Sequence, residues 1–318
     1  MDSTFVVGID VGGQTSKIGV VNARGTVLAQ TVIRTDTYDQ VEPYIAELAD
    51  AVKKLIAESG TEGKVRGIGV GAPNGNYYTG TIENAPNLLW GRQRVEFAKL
   101  LTEAMGGLPV ALTNDANAAA VGEMTYGAAR GMKNFIMITL GTGVGSGIVI
   151  NGEVVYGHDG FAGELGHTAA VRNNGRTCGC GKTGCLETYA SATGVARTAR
   201  EWLELTDEPS VLRNLDTIAS KDVYDAAKEG DKLALKIFDF TGRILGRSFA
   251  DFIAFSAPEA IVLFGGLARA KEFLLAPMEE AMNANLLPLW KNKVKIVFSQ
   301  LKESDAAILG ASALAWEL

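Results

Sequence analysis

Residues 135–157 read FIMITLGTGVGSGIVINGEVVYG: an apolar run, a glycine-rich turn, a second apolar run, an Asn-Gly turn and a third run. The spacing predicts three short antiparallel strands, since β-branched residues favour strands while Gly and Asn-Gly make the tight turns between them. The opening of the chain has the same plan. FVVGIDVGGQTSKIGVV runs from Phe5 to Val21, the turn NARG follows, and TVLAQTVI occupies 26–33. A shift of 139 − 10 = 129 lays Asp10 on Thr139, Gly12 on Gly141, Val20 on Val149 and Asn22 on Asn151 without a gap. An internal repeat at that distance predicts two related domains rather than a solenoid. Each would present a Gly-rich hairpin turn, with a cleft between them.

The remaining segments alternate strand and helix, the pattern of a mixed or parallel sheet covered by helices. An amphipathic helix is predicted over 41–58 and a buried strand, VRGIGVG, over 65–71, leading into the loop APNGNYYTG. A helix near 92–105, the strand PVALT and an Ala-rich helix from Asn114 to about Ala129 complete the first half. Beyond Tyr189 the chain reads largely helical to about Phe255. A buried strand at 258–266, a helix from Ala268 to about Leu287, the strand KVKIVFS and a closing helix of small residues, DAAILGASALAWE, follow.

With 318 residues, 47% of them apolar and 21% charged, the chain can bury two substantial cores. The formal net charge is −6 and no Lys/Arg block stands out, which argues against nucleic acid as a main partner. MDSTFVVGIDVGG carries Asp2, and Asp10 interrupts its short apolar run, so it reads as neither a signal peptide nor a membrane span. The expectation is a soluble, cytoplasmic protein with reduced thiols.

All three cysteines fall within eight residues, Cys178, Cys180 and Cys185, downstream of His167, one of only two histidines. Three thiols and an imidazole make the tetrahedral S/N donor set of a structural zinc, and the interleaved glycines let a short backbone wrap one ion. A disulfide with one thiol left over, or three unrelated buried cysteines, are the alternatives; an odd cysteine count argues against the disulfide. Glu164 and Glu187 flank the cluster.

GELGH at 163–167 and CGCGKTGCLE at 178–187 resemble the sugar motif and the zinc signature of the ROK family of sugar repressors and sugar kinases. The two Gly-rich turns, with GGL at 265–267, resemble the phosphate and adenosine segments of the wider actin-like ATPase and sugar-kinase group. The resemblance spans essentially the whole chain. It implies two actin-like (ribonuclease H-like) α/β domains around a cleft, with the zinc in the larger one. The smaller would comprise 1–115 with the C-terminal helix 304–318, and the larger 116–303.

It also implies roles. Asp115, in Thr113-Asn114-Asp115-Ala116-Asn117, would be the catalytic base, although an Asn-Asp pair at a strand-to-helix junction also serves simply as a helix N-cap. Asn87, Asn114, Glu164, His167 and Glu187 would hold the sugar. Asp10, Gly12, Gly13, Gln14, Thr15 and Lys17 would meet ATP from one side. Thr139, Gly141, Thr142, Gly143, Gly265 and Gly266 would meet it from the other. His167, Cys178, Cys180 and Cys185 would hold Zn2+, and ATP would come with Mg2+. Gln14 departs from the family pattern, which has Thr there; an amide can still donate to a phosphate.

The expected activity is phosphorylation of a hexose at its 6-hydroxyl, glucose first, by a glucokinase-type homodimer. Kinases for N-acetylmannosamine, N-acetylglucosamine or fructose are the alternatives within the family. A non-catalytic sugar-binding or regulatory ROK protein is the alternative outside the kinase class. ROK repressors carry an additional N-terminal helix-turn-helix domain; here the first predicted strand begins at Phe5, and the expectation is against a repressor.

Overall fold

The computed structural model describes residues 4–318; Asp2 and its neighbours in 1–3 lie outside the described residues. β1 (Phe5–Val11), β2 (Thr15–Asn22) and β3 (Val27–Arg34) form an antiparallel meander, followed by α1 (Val41–Glu58). β4 (Val65–Ala72), the small hairpin β5 (Gly75–Asn76) and β6 (Thr81–Ile82), α2 (Phe97–Ala104) and β7 (Val110–Asn114) come next. β4 and β7 join β1 in parallel, giving the order β3-β2-β1-β4-β7. β4 is buried along most of its length, as a strand covered on both faces must be, whereas the edge strand β3 alternates.

α3 (Asp115–Tyr126) carries the chain into a second sheet with the same plan. β8 (Phe135–Leu140), β9 (Val144–Ile150) and β10 (Glu153–Val154) are its meander. Four helices follow: α4 (Glu187–Ala190), α5 (Ala192–Leu205), α6 (Ser220–Lys228) and α7 (Lys232–Ser256). β11 (Ala260–Phe264), α8 (Lys271–Asn285) and β12 (Lys295–Phe298) then complete the order β10-β9-β8-β11-β12. Each sheet has its own buried apolar cluster, one around Ile9, Tyr44, Leu48 and Phe97, the other around Ile138, Phe238, Phe249 and Leu263.

The last helix, α9 (Glu303–Leu314), returns to the first sheet. A Cβ on Gly8 would lie 2.1 Å from the Ile308 carbonyl, and one on Gly69 would lie 1.8 Å from that of Ala311. Glycine strands and a helix rich in small residues therefore meet at backbone distance, and the one Ile on that face, Ile308, lies over Gly19.

The structure corrects the sequence reading at four places. The repeat needs a one-residue gap. The first hairpin closes on Val11 opposite Ser16, the second on Leu140 opposite Val144, so the second turn is one residue shorter. Val20, paired with Val7, corresponds to Ile148, paired with Ile136, rather than to Val149. α2 starts at Phe97 rather than near 92, because Val95 makes a two-bond bridge to Ile82 (3.0 and 2.9 Å). α3 stops at Tyr126, where Gly127 and Ala129 both donate to the Glu123 carbonyl and end the regular ladder. The helix expected from Ala268 begins as a 3-10 turn, Gly266–Ala270, before α8. Among the described residues no helix is long and apolar enough to cross a membrane.

Candidate active site between the two sheets

β7 ends and α3 begins at Asn114-Asp115, on the floor of the cleft. Asn114 is the N-cap: its backbone is extended and its Oδ1 accepts from Ala116 N at 2.8 Å. Asp115 Oδ1 accepts from the same amide at 2.8 Å. Capping thus occupies the Asn114 oxygen and leaves its NH2 group available to a ligand. The Asp115 side chain is open to water on the cleft side and crowded by protein elsewhere. Burial raises its pKa above the ordinary carboxylate range, opposed by the Ala116 amide.

A cavity of about 450 Å³ opens above that floor. It brings together Asn87, Asn114, Asp115, Glu164, His167 and Glu187 with Thr139, Gly141, Thr142, Gly143 and Gly265. Asn87 comes from the loop before α2, Asn114 and Asp115 from the α3 junction, Glu164 and His167 from the loop and 3-10 turn after β10, Glu187 from the start of α4, and the rest from β8 and the turns that follow β8 and β11. Gly12, Gly13, Gln14, Thr15 and Lys17 do not line it. Their turn sits beside it, since a Cβ on Gly13 would lie 2.8 Å from the Asn87 carbonyl. Gln14 is exposed, and its carbonyl accepts from Thr35 N at 2.9 Å. Asp10 lines a smaller adjoining cavity of about 180 Å³ together with Asp115 and Thr139. Burial and then the Asp115 charge push the Asp10 carboxyl up to about 6, against the pull of Lys17. Gly266 starts the 3-10 turn, with open space where a Cβ would be.

His167 sits in a short 3-10 turn, and Ser146 of β9 holds the loop before it: its hydroxyl donates to the Gly163 carbonyl and accepts from Leu165 N at 3.0 Å. Glu164 has a raised pKa, chiefly from burial; His167 opposes the shift, while Asp115 and Glu187 add to it. The donor atoms of His167, Cys178, Cys180 and Cys185 all lie within 4.8 Å of one another. His167 Nδ1 is 3.7 Å from Cys178 Sγ, and Cys180 Sγ is 3.7 Å from Cys185 Sγ. The imidazole therefore turns Nδ1 to the thiols.

Glu187 joins this cluster to the second Gly-rich turn. Its Oε1 lies 3.9 Å from Cys178 Sγ, and its Oε2 accepts from Val144 N at 3.0 Å. A Cβ on Gly143 would lie 2.3 Å from that same Oε2, so the turn requires glycine for the carboxylate to reach the amide. The turn is held from behind as well: Ala192 N donates to Gly141 O and Thr193 Oγ1 to Thr142 O, each at 2.8 Å. The cysteine loop is anchored by Arg176, which donates to Glu201, to Thr188 O (2.8 Å) and to Thr198 Oγ1 (2.9 Å) and covers the Tyr189 ring at 4.5 Å.

Sequence reasoning did not single out Asn74 or Phe264, which also line the larger cavity. Asn74 carried a signal, its place in the Pro-Asn-Gly run before β5; its backbone is left-handed (φ 51°). Phe264 carried none, being one more apolar residue at a strand end.

This arrangement can be set beside known proteins. The glucokinase of Halalkalibacterium halodurans is 39% identical over 315 residues, 98% of this chain and 94% of that one. The solved ROK family glucokinase from Streptomyces griseus, in complex with glucose and AMPPNP, is 32% identical with a TM-score of 0.79, covering 99% of this chain and all (100%) of that one. A solved ROK family transcriptional regulator superposes with a TM-score of 0.88 at 28% identity, over 99% of this chain and 78% of that one. The ROK family model matches residues 6–317. From its sequence, its duplicated sheets and this full-length match, the chain belongs to the ROK family.

Proposed function

We propose that the protein is an ATP-dependent hexokinase that transfers the γ-phosphoryl group to the 6-hydroxyl of glucose. One observation carries the reading: a single cavity joins a carboxylate at a helix N-terminus, Asp115, to the glycine turn Gly141 to Gly143. The glucokinase names of the relatives support the choice of sugar and of ATP.

Asp115 accepts the proton of the attacking hydroxyl, the step for which phosphoryl transfer to an alcohol needs an oriented base. The NH2 groups of Asn87 and Asn114 donate to sugar oxygens, and the Glu164 and Glu187 carboxylates accept from sugar hydroxyls. His167 offers Nε2 to the same sugar. The second Gly-rich turn and Gly265-Gly266 take the nucleotide from one side, and Gly12 to Thr15 with Lys17 from the other. Asp10 is the side chain that would hold magnesium brought with ATP, and the ion would neutralise phosphate charge there. Closure of the cleft keeps water from competing with the sugar for the phosphoryl group.

The donor set His167, Cys178, Cys180 and Cys185 fits zinc, since sulfurs of a tetrahedral site stand about 3.8 Å apart. Four protein donors would leave no open position, so such an ion would be structural. Held by them, it would tie the 163–167 segment to the cysteine loop and fix Glu164, His167 and Glu187 relative to one another. We further infer a division into a small domain, 1–115 with 304–318, and a large one, 116–303, and a homodimer. The exposed apolar side chains Leu205, Phe255, Leu287 and Leu289 on the larger unit support the latter.

The test is coupled ADP release with ATP, magnesium and glucose, fructose, mannose, N-acetylglucosamine and N-acetylmannosamine. Turnover confined to glucose supports the assignment, and preference for another sugar keeps the mechanism and changes the substrate. Sugar binding without ADP release, in zinc-loaded protein, favours the regulator-like reading that the 0.88 superposition also supports.

A further inference from the structure

The chain passes between the two sheets at two places. α3 leads from β7 to β8, and residues 299–302 lead from β12 back to α9 on the first sheet. One buried carboxylate touches both. Glu123 lies on α3 about two turns beyond Asp115 and is only 1% exposed. A carboxylate in such a place is costly unless it is well hydrogen-bonded. Its Oε2 accepts from Ala128 N at 2.7 Å, fastening the end of α3. Its Oε1 accepts from the Ser299 hydroxyl, which in turn accepts from Leu301 N at 3.2 Å. Ser299 N donates to Leu263 O at 2.8 Å, so the contact also reaches β11.

Two further features mark the place as built. A Cβ on Gly127 would lie 2.1 Å from Glu123 Oε2, so the carboxylate fills the space that any side chain there would take. Beside it is the cavity of about 180 Å³, walled by Glu123 and Asp115 of α3, by Leu301 of the returning segment, and by Ala306 of α9. Both crossings therefore border open space in an otherwise close-packed region, which leaves them room to shift when the cleft closes.

We infer that Glu123 is a positioning residue at the hinge: through Ser299 it joins the two crossings, and so fixes the angle at which α3 presents Asp115 to the substrate. The inference rests on the kinase reading above. It concerns how the floor of the cleft is held and adds no group to the chemistry. Misplacement of α3 by a fraction of an ångström would lower the rate while leaving the sugar contacts of the second sheet intact.

The experiment is a double-mutant cycle with Ser299→Ala, Glu123→Ala and the pair, reading kcat, KM for both substrates, sugar-independent ATP hydrolysis and amide exchange at 126–129 and 299–302. Each single variant is expected to lose kcat by roughly 10- to 100-fold with KM changed much less, because small errors of alignment act on the reacting geometry. The pair is expected to be no worse than Glu123→Ala alone, and exchange should rise at both crossings in either single variant. Gly127→Ala, which displaces the carboxylate without removing it, should reproduce the kinetic loss. Ser299→Ala within about twofold of wild type in kcat, or a pair whose losses multiply, overturns the latch. Ser299→Ala removes one oxygen and keeps the test alive should Glu123→Ala not fold. The exchange readout needs no turnover, so absence of kinase activity would sink the function and leave the latch to be judged separately.

Discussion

Asp115 combines two jobs that are usually separate. Its carboxylate helps cap α3 through Ala116 N, and the same helix start aims it into the cavity. Asp115→Asn keeps size and cap but cannot take a proton; kcat should fall by about 10²- to 10⁴-fold, with KM for glucose changed only a few-fold. A steady-state assay that finds kcat within a few-fold of wild type removes Asp115 as base. The pH dependence follows from the raised carboxyls. Asp115 must be ionised to act as a base and burial raises its pKa, so kcat/KM should decline with falling pH while still above the ordinary carboxylate range. Stability has the opposite sign. A carboxyl whose pKa rises on folding binds its proton more tightly in the native state. Its favourable contribution is complete below the unfolded value and, for Asp10, is lost as pH rises through about 6. Asp10→Asn should therefore stabilise the ligand-free protein at pH 7.5, by up to about 3 kcal/mol, while lowering turnover. Thermal melts and activity on the same sample check both halves.

The Gly141–Val144 turn and the cysteine loop are one mechanical piece, because Glu187 spans them. Gly143→Ala drives a methyl into the Glu187 carboxylate, and KM for both ATP and sugar should rise, by about tenfold or more. A variant with unchanged KM for sugar would mean that Glu187 serves the turn alone. Arg176 is the other fastening. Lys cannot reproduce its contacts to Glu201, Thr188 and Thr198 or its cover of Tyr189, so Arg176→Lys should cost about 2 kcal/mol and, in protein loaded with zinc, speed its release to a chelator. Zinc release followed by a colorimetric chelator, with a denaturant melt beside it, measures the two effects. At this scale the sequence was informative where side-chain chemistry is local. Three cysteines and a histidine in a short glycine-rich run declare a donor set before any folding. It was silent on Arg176 and Glu123, since an arginine or a glutamate has no visible purpose until its partners from other segments surround it.

At the scale of the molecule, two sheets of the same order face one cavity, and the chain crosses between them at α3 and at 299–302. Glucose with a non-hydrolysable nucleotide should shrink the radius of gyration in solution scattering, and Asp115→Asn should close as far as wild type. An unchanged radius would mean that the cleft is already in its working form. The duplication itself was legible in the order of residues: period-two apolar runs, glycine turns and an offset of 129 identify two hairpins of one kind. So were α1 and the Asn-Asp junction, whose signals lie within a few residues of one another. Turn length, the start of α2 and the end of α3 were not, because each is decided by a particular bond that residue type does not declare: the Leu140–Val144 register, the Val95–Ile82 bridge, the Glu123 contacts to 127–129. Sequence alone determined the residue types available for the chemistry and the local elements that carry them. Only the tertiary structure decided that Glu187 reaches both the thiol cluster and the glycine turn, that Asp10 shares a cavity with Asp115, and that one buried carboxylate joins the two crossings. Those are distances between atoms far apart in the chain, and they exist only once burial of the two cores has set the sheets against each other.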